Sequence, residues 1–178
     1  DARNPKTDIG PVVSEAQLKK NLEYLRIGSN DGAKHLMGGD QVEQKTPGWY
    51  LSPALFINAK SEMKICREEI FGPIAAVISV SDYDEALSVA NDSEFGLSAG
   101  IVSNDRLIID HFIANIQAGM VQINLPTAGM DFHAPITGQK NSSFGPPEKS
   151  SYCREFFTNT KVIHANYGKR LNSKREGS

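Results

Sequence analysis

Apolar residues in this chain of 178 residues follow two alternating rhythms. Leu18, Leu22 and Leu25 recur three and four apart, the spacing of one helix face. Ser14 with Gln17 three positions on forms a capping box that satisfies orphan amides at the helix start, and Gly28 supplies a left-handed stop. Residues 30–48 are rich in Gly, Asp and Gln and predict loops around one short strand, while 50–57 reads as extended. Residues 74–80, IAAVISV, are apolar at almost every position, as in a strand buried on both faces of a helix-covered parallel sheet. Ser81 caps a helix with Tyr83, Ala86, Leu87 and Ala90 on one face. A second buried strand spans 97–102. A helix follows with Ile108, Ile109, Phe112, Ile113 and Ile116 inward, and then a third strand at 121–124. This alternation predicts an α/β fold: a parallel βαβ sheet covered by helices, with right-handed crossovers.

The rhythm breaks at residues 126–147, where Gly and Pro concentrate. A long loop is expected there, and loops of that length in compact domains usually serve function or are disordered. Pro147 and Glu148 suit the first turn of a helix running to about Phe157. Residues 160–167 read as extended. The tail after Gly168 carries Lys169, Arg170, Lys174 and Arg175 and is expected to be a disordered, solvated end.

Composition narrows the class. With 39% apolar and 22% charged residues the chain is globular. A net charge of -2 provides no field to gather nucleic acid or an anionic membrane. No apolar run approaches the roughly 20 residues that span a bilayer, and no signal peptide opens the chain. Two cysteines are too few for a disulfide framework, so a reducing, cytoplasmic setting is expected. The first residue is Asp1, which suits a piece of a longer polypeptide.

Candidate chemistry is sparse. Glu68 and Glu69 are adjacent, so in an extended segment they point to opposite sides and do not form an acid/base pair. Without further context both are simply solvated. Their position before the buried strand, where ligands collect at sheet ends, changes that. A carboxylate there can accept hydrogen bonds from ribose hydroxyls, and Phe71 can pack on a flat heterocycle. Arg67 lowers the pKa of Cys66 somewhat, but a packing role suits Cys66 better; Cys153 lies inside a predicted helix, where packing is again expected. His35, His111, His133 and His164 show no ligand spacing, so no metal site is expected. His133 alone falls in the long loop, open to a substrate or inter-subunit contact. No glycine-rich phosphate loop is present.

Five blocks in order, DIGPVVSEAQ from Asp8, EEIFGP from Glu68, ANDSEFGLSAGIVS from Ala90, AGMVQIN from Ala118 and the stretch from Pro135 to Glu148, resemble the aldehyde dehydrogenase superfamily. The resemblance covers roughly residues 3–167. NLPTAGMDFH at Asn124 and SSFGP at Ser142 resemble the branch that oxidises 2,5-dioxovalerate (α-ketoglutaric semialdehyde) to 2-oxoglutarate. The resemblance implies that residues 1–158 are part of the catalytic domain and 159–168 an oligomerisation strand, with 169–178 the tail. It implies that Glu69 holds the nicotinamide ribose and Phe71 packs beside the nicotinamide. Asn124, Leu125, Pro126, Thr127 and Ile136 would line the aldehyde's access pocket.

In such enzymes a cysteine thiolate attacks the aldehyde, asparagine and backbone amides hold the oxyanion, and hydride passes to NAD or NADP. The family's nucleophile, general base and dinucleotide-binding domain lie upstream of the block at Asp8, and neither cysteine aligns with the nucleophile. The chain alone is therefore expected to hold no catalytic residue, to be inactive and not to bind the cofactor by itself. Expected partners are further copies in a homo-oligomer or the missing N-terminal portion, with a small aldehyde as substrate. The alternatives are a non-catalytic remnant, a subunit-pairing domain, or an unrelated α/β binding module. Three departures stand out: Ile136 and Thr137 interrupt the family's P-F-G-G, removing an aromatic wall; Ser143 replaces a common Gly; and Pro147 replaces the branch's Arg.

Overall fold

Ser14 starts the first helix, α1 (Glu15–Asn30). Its extended backbone lets the hydroxyl accept from the Gln17 amide at 3.2 Å. Only half of the predicted capping box forms, because the Gln17 side chain reaches across to residues 70 and 71 instead. Gly28 does not stop the helix. It lies within α1, where a Cβ would sit 3.1 Å from both Ile65 and Phe56, so it permits close packing. The left-handed glycine is Gly32, at φ +97°, after the cap Asp31. The computed structural model describes residues 1–129 and 131–168; the predicted tail, 169–178, lies outside them.

Five short strands and a helical turn complete the first half. They are β1 (Lys34–Met37), β2 (Gln41–Val42), β3 (Tyr50–Leu51), β4 (Ala54–Ile57), α2 (Lys64–Arg67) and β5 (Ile74–Ala76). The region from 30 to 48 thus holds two strands, not one. A three-stranded sheet runs β1-β4-β5, antiparallel at β1-β4 and parallel at β4-β5. The β5 strand is shorter than the apolar run predicts and is not buried on both faces. Ile74, Ala76 and Ile78 pack on the core, whereas Val77 and Val80 are exposed. Helix cover reaches one side only, so alternation replaces double burial. Phe56 is fully buried, among Leu18, Tyr24, Leu25, Leu51 and Ile65.

The second half has its own core around Phe112, Ile116 and Ala118. Its elements are α3 (Tyr83–Asn91), β6 (Phe95–Gly96), β7 (Ser98–Ile101), α4 (Arg106–Asn115), β8 (Met120–Ile123), β9 (Gln139–Lys140) and α5 (Tyr152–Phe156). Asp82, not Ser81, caps α3, accepting from the Glu85 amide at 2.9 Å. On α4, Ile113 is 50% exposed where the pattern placed it inward. β7 and β8 pair in parallel from Ser98↔Met120 to Ile101↔Ile123, with α4 between them, which is the predicted βαβ unit. β7 is half-buried rather than buried. Among the described residues β5 pairs with β4 and not with β7 or β8, so the α/β architecture has its parallel strands in two separate sheets.

The long loop is more ordered than expected. β9 pairs antiparallel with β6, and Ile136 exchanges two 2.9 Å backbone bonds with Glu148. That bridge takes up Glu148, directly after Pro147, and α5 begins only at Tyr152. Residues 158–168 carry no helix or strand and are exposed throughout. Among the described residues no helix is long and apolar enough to cross a membrane.

Candidate functional site

Helix α1 holds the loop at residues 68–72 by its backbone. Lys20 Nζ donates to the Glu69 carbonyl at 2.9 Å. Gln17 Nε2 donates to the carbonyls of Ile70 and Phe71 at 2.8 and 3.1 Å, and to Asn21 Oδ1 at 2.8 Å. Gly72 follows because a Cβ there would stand 2.2 Å from Asn21 Nδ2. Held in this way, Phe71 takes φ +58° and is 72% exposed. A bulky side chain in that region is strained, and such strain persists only where surroundings impose it.

The two glutamates diverge. Glu68 accepts from the Tyr24 hydroxyl and lies 3.7 Å from Lys64 Nζ. The bond to Glu68, with burial, pushes the Tyr24 pKa up to about 12. The exposed carboxylate of Glu69 makes no hydrogen bond or ion pair among the described residues.

Beside this loop lies a cleft of about 370 Å³. Cys66, Arg67, Glu68 and Glu69 form one wall; Phe95, Leu97, Asn141 and Ser142 form the other. The far wall is assembled by the β6–β9 pairing. Ser142 Oγ accepts from the Gly96 amide at 2.9 Å, and the Asn141 amide donates to the Glu94 carbonyl at 3.0 Å. A Cβ on Gly96 would come within 2.6 Å of the Gln117 carbonyl oxygen, so this crossing requires glycine. Lys140 Nζ donates to the carbonyls of Asn91 and Ser93 at 2.6 and 2.9 Å. Lys140, Asn91 and Asp92 hold the cleft together, yet sequence reasoning passed over them. The signal was present in the ANDS run, one residue before FGLSAG.

Of the candidates read from the sequence, Glu69 lines this cleft. Phe71 stands on the same loop outside its lining. Asn124, at φ +54°, is occupied: its Oδ1 accepts from the Ser103 amide and its Nδ2 donates to the Ser103 carbonyl, both at 2.9 Å. Leu125, Pro126 and Thr127 follow it, exposed, off the end of β8. Ile136 is half-buried in its bridge with Glu148.

Neither cysteine has the environment of a nucleophile. Burial pushes the Cys66 thiol up, and Arg67 offsets this only in part. Cys153 is exposed on the short α5, not packed as its predicted helix implied. Among the described residues no group of three or more His, Cys, Asp or Glu could hold a metal ion.

Three of the sequence blocks meet at this cleft, between a helix-held loop and the antiparallel β6–β9 pair. The profile of the aldehyde dehydrogenase family matches residues 1–163, and the chain belongs to that family. It is 42% identical to an alpha-ketoglutaric semialdehyde dehydrogenase of Bacillus subtilis over 157 residues, 87% of this chain and 32% of the relative. It is 39% identical to a 2,5-dioxopentanoate dehydrogenase of Saccharolobus solfataricus over 158 residues, 88% of this chain and 33% of the relative. Among solved structures, an NAD-dependent aldehyde dehydrogenase from Sinorhizobium meliloti superposes with TM-score 0.84 at 35% identity, covering 93% of this chain and 32% of that one. An indole-3-acetaldehyde dehydrogenase from P. syringae, in complex with NAD+, gives 0.81 at 34%, covering 87% and 31%. The chain spans about a third of the length of these relatives.

Proposed function

We propose that this chain is the later part of an NAD(P)-dependent aldehyde dehydrogenase that oxidises an aldehyde to a carboxylate, with 2,5-dioxovalerate as the substrate that the resemblance points to. Residues 1–158 belong to the catalytic domain and 159–168 form an oligomerisation strand. The observation that carries this reading is the cleft that joins the Glu68, Ala90 and Pro135 blocks. Its lining suits one end of a nicotinamide cofactor. The unpaired Glu69 carboxylate can accept from sugar hydroxyls, and Phe95 and Leu97 offer a flat ring apolar contact. The cleft's cation, Arg67, is engaged by Asp92, which leaves no free cation among the lining residues to hold a pyrophosphate. The cofactor, when bound in the intact enzyme, takes up the hydride. The part played by this chain is orientation, with Phe71 held rigidly beside the cleft. Asn124, Leu125, Pro126, Thr127 and Ile136 line the aldehyde's path.

Alone, the chain should bind NAD or NADP poorly and turn nothing over. The raised pKa of Cys66 supports this, as does the place of Cys153 outside the cleft lining. Purified chain is mixed with 2,5-dioxovalerate and NAD or NADP, and the absorbance of reduced cofactor is followed. Turnover above the buffer control, or a substrate adduct on either cysteine by mass spectrometry, would overturn the inactivity. In the polypeptide continued upstream to include a cysteine nucleophile, Glu69→Gln should raise the cofactor KM about tenfold, the loss expected for charge-assisted hydrogen bonds. An unchanged KM would remove Glu69 from the site.

A second reading, a non-catalytic subunit-pairing remnant, is favoured by Ile136, in the bridge to Glu148, and by Pro147 beside it, where the family pattern has an aromatic residue and an arginine. The coding sequence directly upstream separates the two. An open frame with the cysteine motif supports the enzyme; a stop or frameshift supports the remnant.

A further inference from the structure

Each wall of the cleft is fastened to its own core. The near wall, residues 66–69, is tied to α1 through Lys20, Gln17 and Tyr24. The far wall is tied to the second core through Asn91. Its Oδ1 accepts from the Gln117 amide at 2.8 Å and its Nδ2 donates to the Asn115 carbonyl at 3.0 Å. Lys140 adds its bonds to Asn91 and Ser93. Between the cores the chain runs through residues 77–82, which form neither helix nor strand. Arg67 crosses this divide. Its Nη1 donates to the Asp92 carbonyl at 2.6 Å and its Nη2 to the Asp92 carboxylate. Arg67 stands two residues before Glu69; Asp92, the C-cap of α3, stands three before Phe95 and five before Leu97.

We propose that the Arg67–Asp92 pair is a latch between the two cores that sets the opening of the cleft. Arg67 and Asp92 are positioning residues: they fix Glu69 on one wall against Phe95 and Leu97 on the other. The latch does not depend on what the cleft holds; only its consequence for a cofactor rests on the proposed function. Both side chains are partly exposed, at 36% and 60%, and exposed ion pairs are individually weak. The latch therefore biases an equilibrium and does not lock it, as suits a wall that must let a ligand in and out.

The chain carries its own reporter. Cys66 lines the cleft behind the latch and is half-buried, while Cys153 is exposed on α5, away from the cleft lining. Alkylation by iodoacetamide is followed at both residues by peptide mass spectrometry in the full chain. Arg67→Gln and Asp92→Asn should each speed Cys66 alkylation roughly two- to fivefold, the size expected of an exposed pair, and leave Cys153 unchanged. Electrostatics alone acts in opposite directions in the two variants. Loss of the Arg67 charge raises the Cys66 thiol further and slows it, whereas loss of the Asp92 charge favours the thiolate. Acceleration in both variants is therefore the mark of opening. The exchanged pair, Arg67→Asp with Asp92→Arg, should return Cys66 towards its original rate. Hydrogen exchange on the same samples should show β4 amides still protected. The proposal is overturned if Arg67→Gln slows or leaves Cys66, if the exchanged pair reacts as fast as the single variants, or if β4 loses protection along with Cys66.

Discussion

Asn21 and Gly72 show how tightly one residue can constrain the loop that carries Glu69 and Phe71. Asn21 is fully buried, and its Nδ2 has no hydrogen-bond partner among the described residues, lying instead against the Gly72 backbone. Gly72→Ala forces atoms together and should cost about 1–3 kcal/mol by urea unfolding. Asn21→Ala in the same molecule removes the obstructing amide and should recover most of that loss. If the double variant is as unstable as Gly72→Ala alone, the two residues do not press on one another. Neither the orphaned amide nor the need for glycine could be read from EEIFGP alone. Both depend on a helix some fifty residues earlier in the chain. The two cysteines make the same point. Both were read as packing residues, but only Cys66 has that environment, and iodoacetamide should label Cys153 first.

At the scale of elements, helix ends separate what is locally coded from what is not. Asp82 caps α3 with a bond to the Glu85 amide, and Glu85 accepts from the Ser81 amide and hydroxyl at 2.7 Å each. Asp82→Ala should lower stability by about 1 kcal/mol in thermal unfolding. The bonds from Ser81 hold the Glu85 carboxyl below its usual range, and Arg67 does the same for Asp92. A carboxyl lowered in the folded state stabilises fully above its unfolded pKa, near 4, and loses that contribution as pH falls through the lower native value. Unfolding midpoints measured across this acid window should therefore drop less steeply with falling pH in Glu85→Gln than in the parent. An identical slope would mean that the Ser81 bonds do not form in solution. Helices α1, α3 and α4 were legible because each spans more than two turns with a regular apolar face. α5 was misplaced because Glu148 is drawn into a bridge by Ile136, a partner twelve residues away that periodicity does not register.

For the whole molecule, the large question is surface. Phe157, Val162, Ile163 and Tyr167 are exposed near the end of the described chain, and Val102 and Leu107 are exposed beside the parallel pair. Exposed apolar side chains that gather into one patch mark interaction sites, and these are the candidates for one here. Self-association is the expected outcome, and sedimentation at high concentration should show species above monomer. A stop codon after residue 158 should shift them towards monomer if the last segment adds to a neighbour's sheet. A monodisperse parent would count against both expectations.

The sequence by itself determined the α/β class, the long helices, the parallel pairing of β7 and β8 and the family, because these depend on apolar periodicity and on motifs read within a short window. Tertiary structure decided the rest. It split the expected continuous sheet, since pairing between strands depends on which edges meet in space and not on how apolar each strand is. It placed Gly28 in a helix interior, because the neighbours that crowd it come from β4 and α2. It also occupied Glu68 and left Glu69 open, for the Tyr24 hydroxyl reaches Glu68 only once α1 has packed against α2.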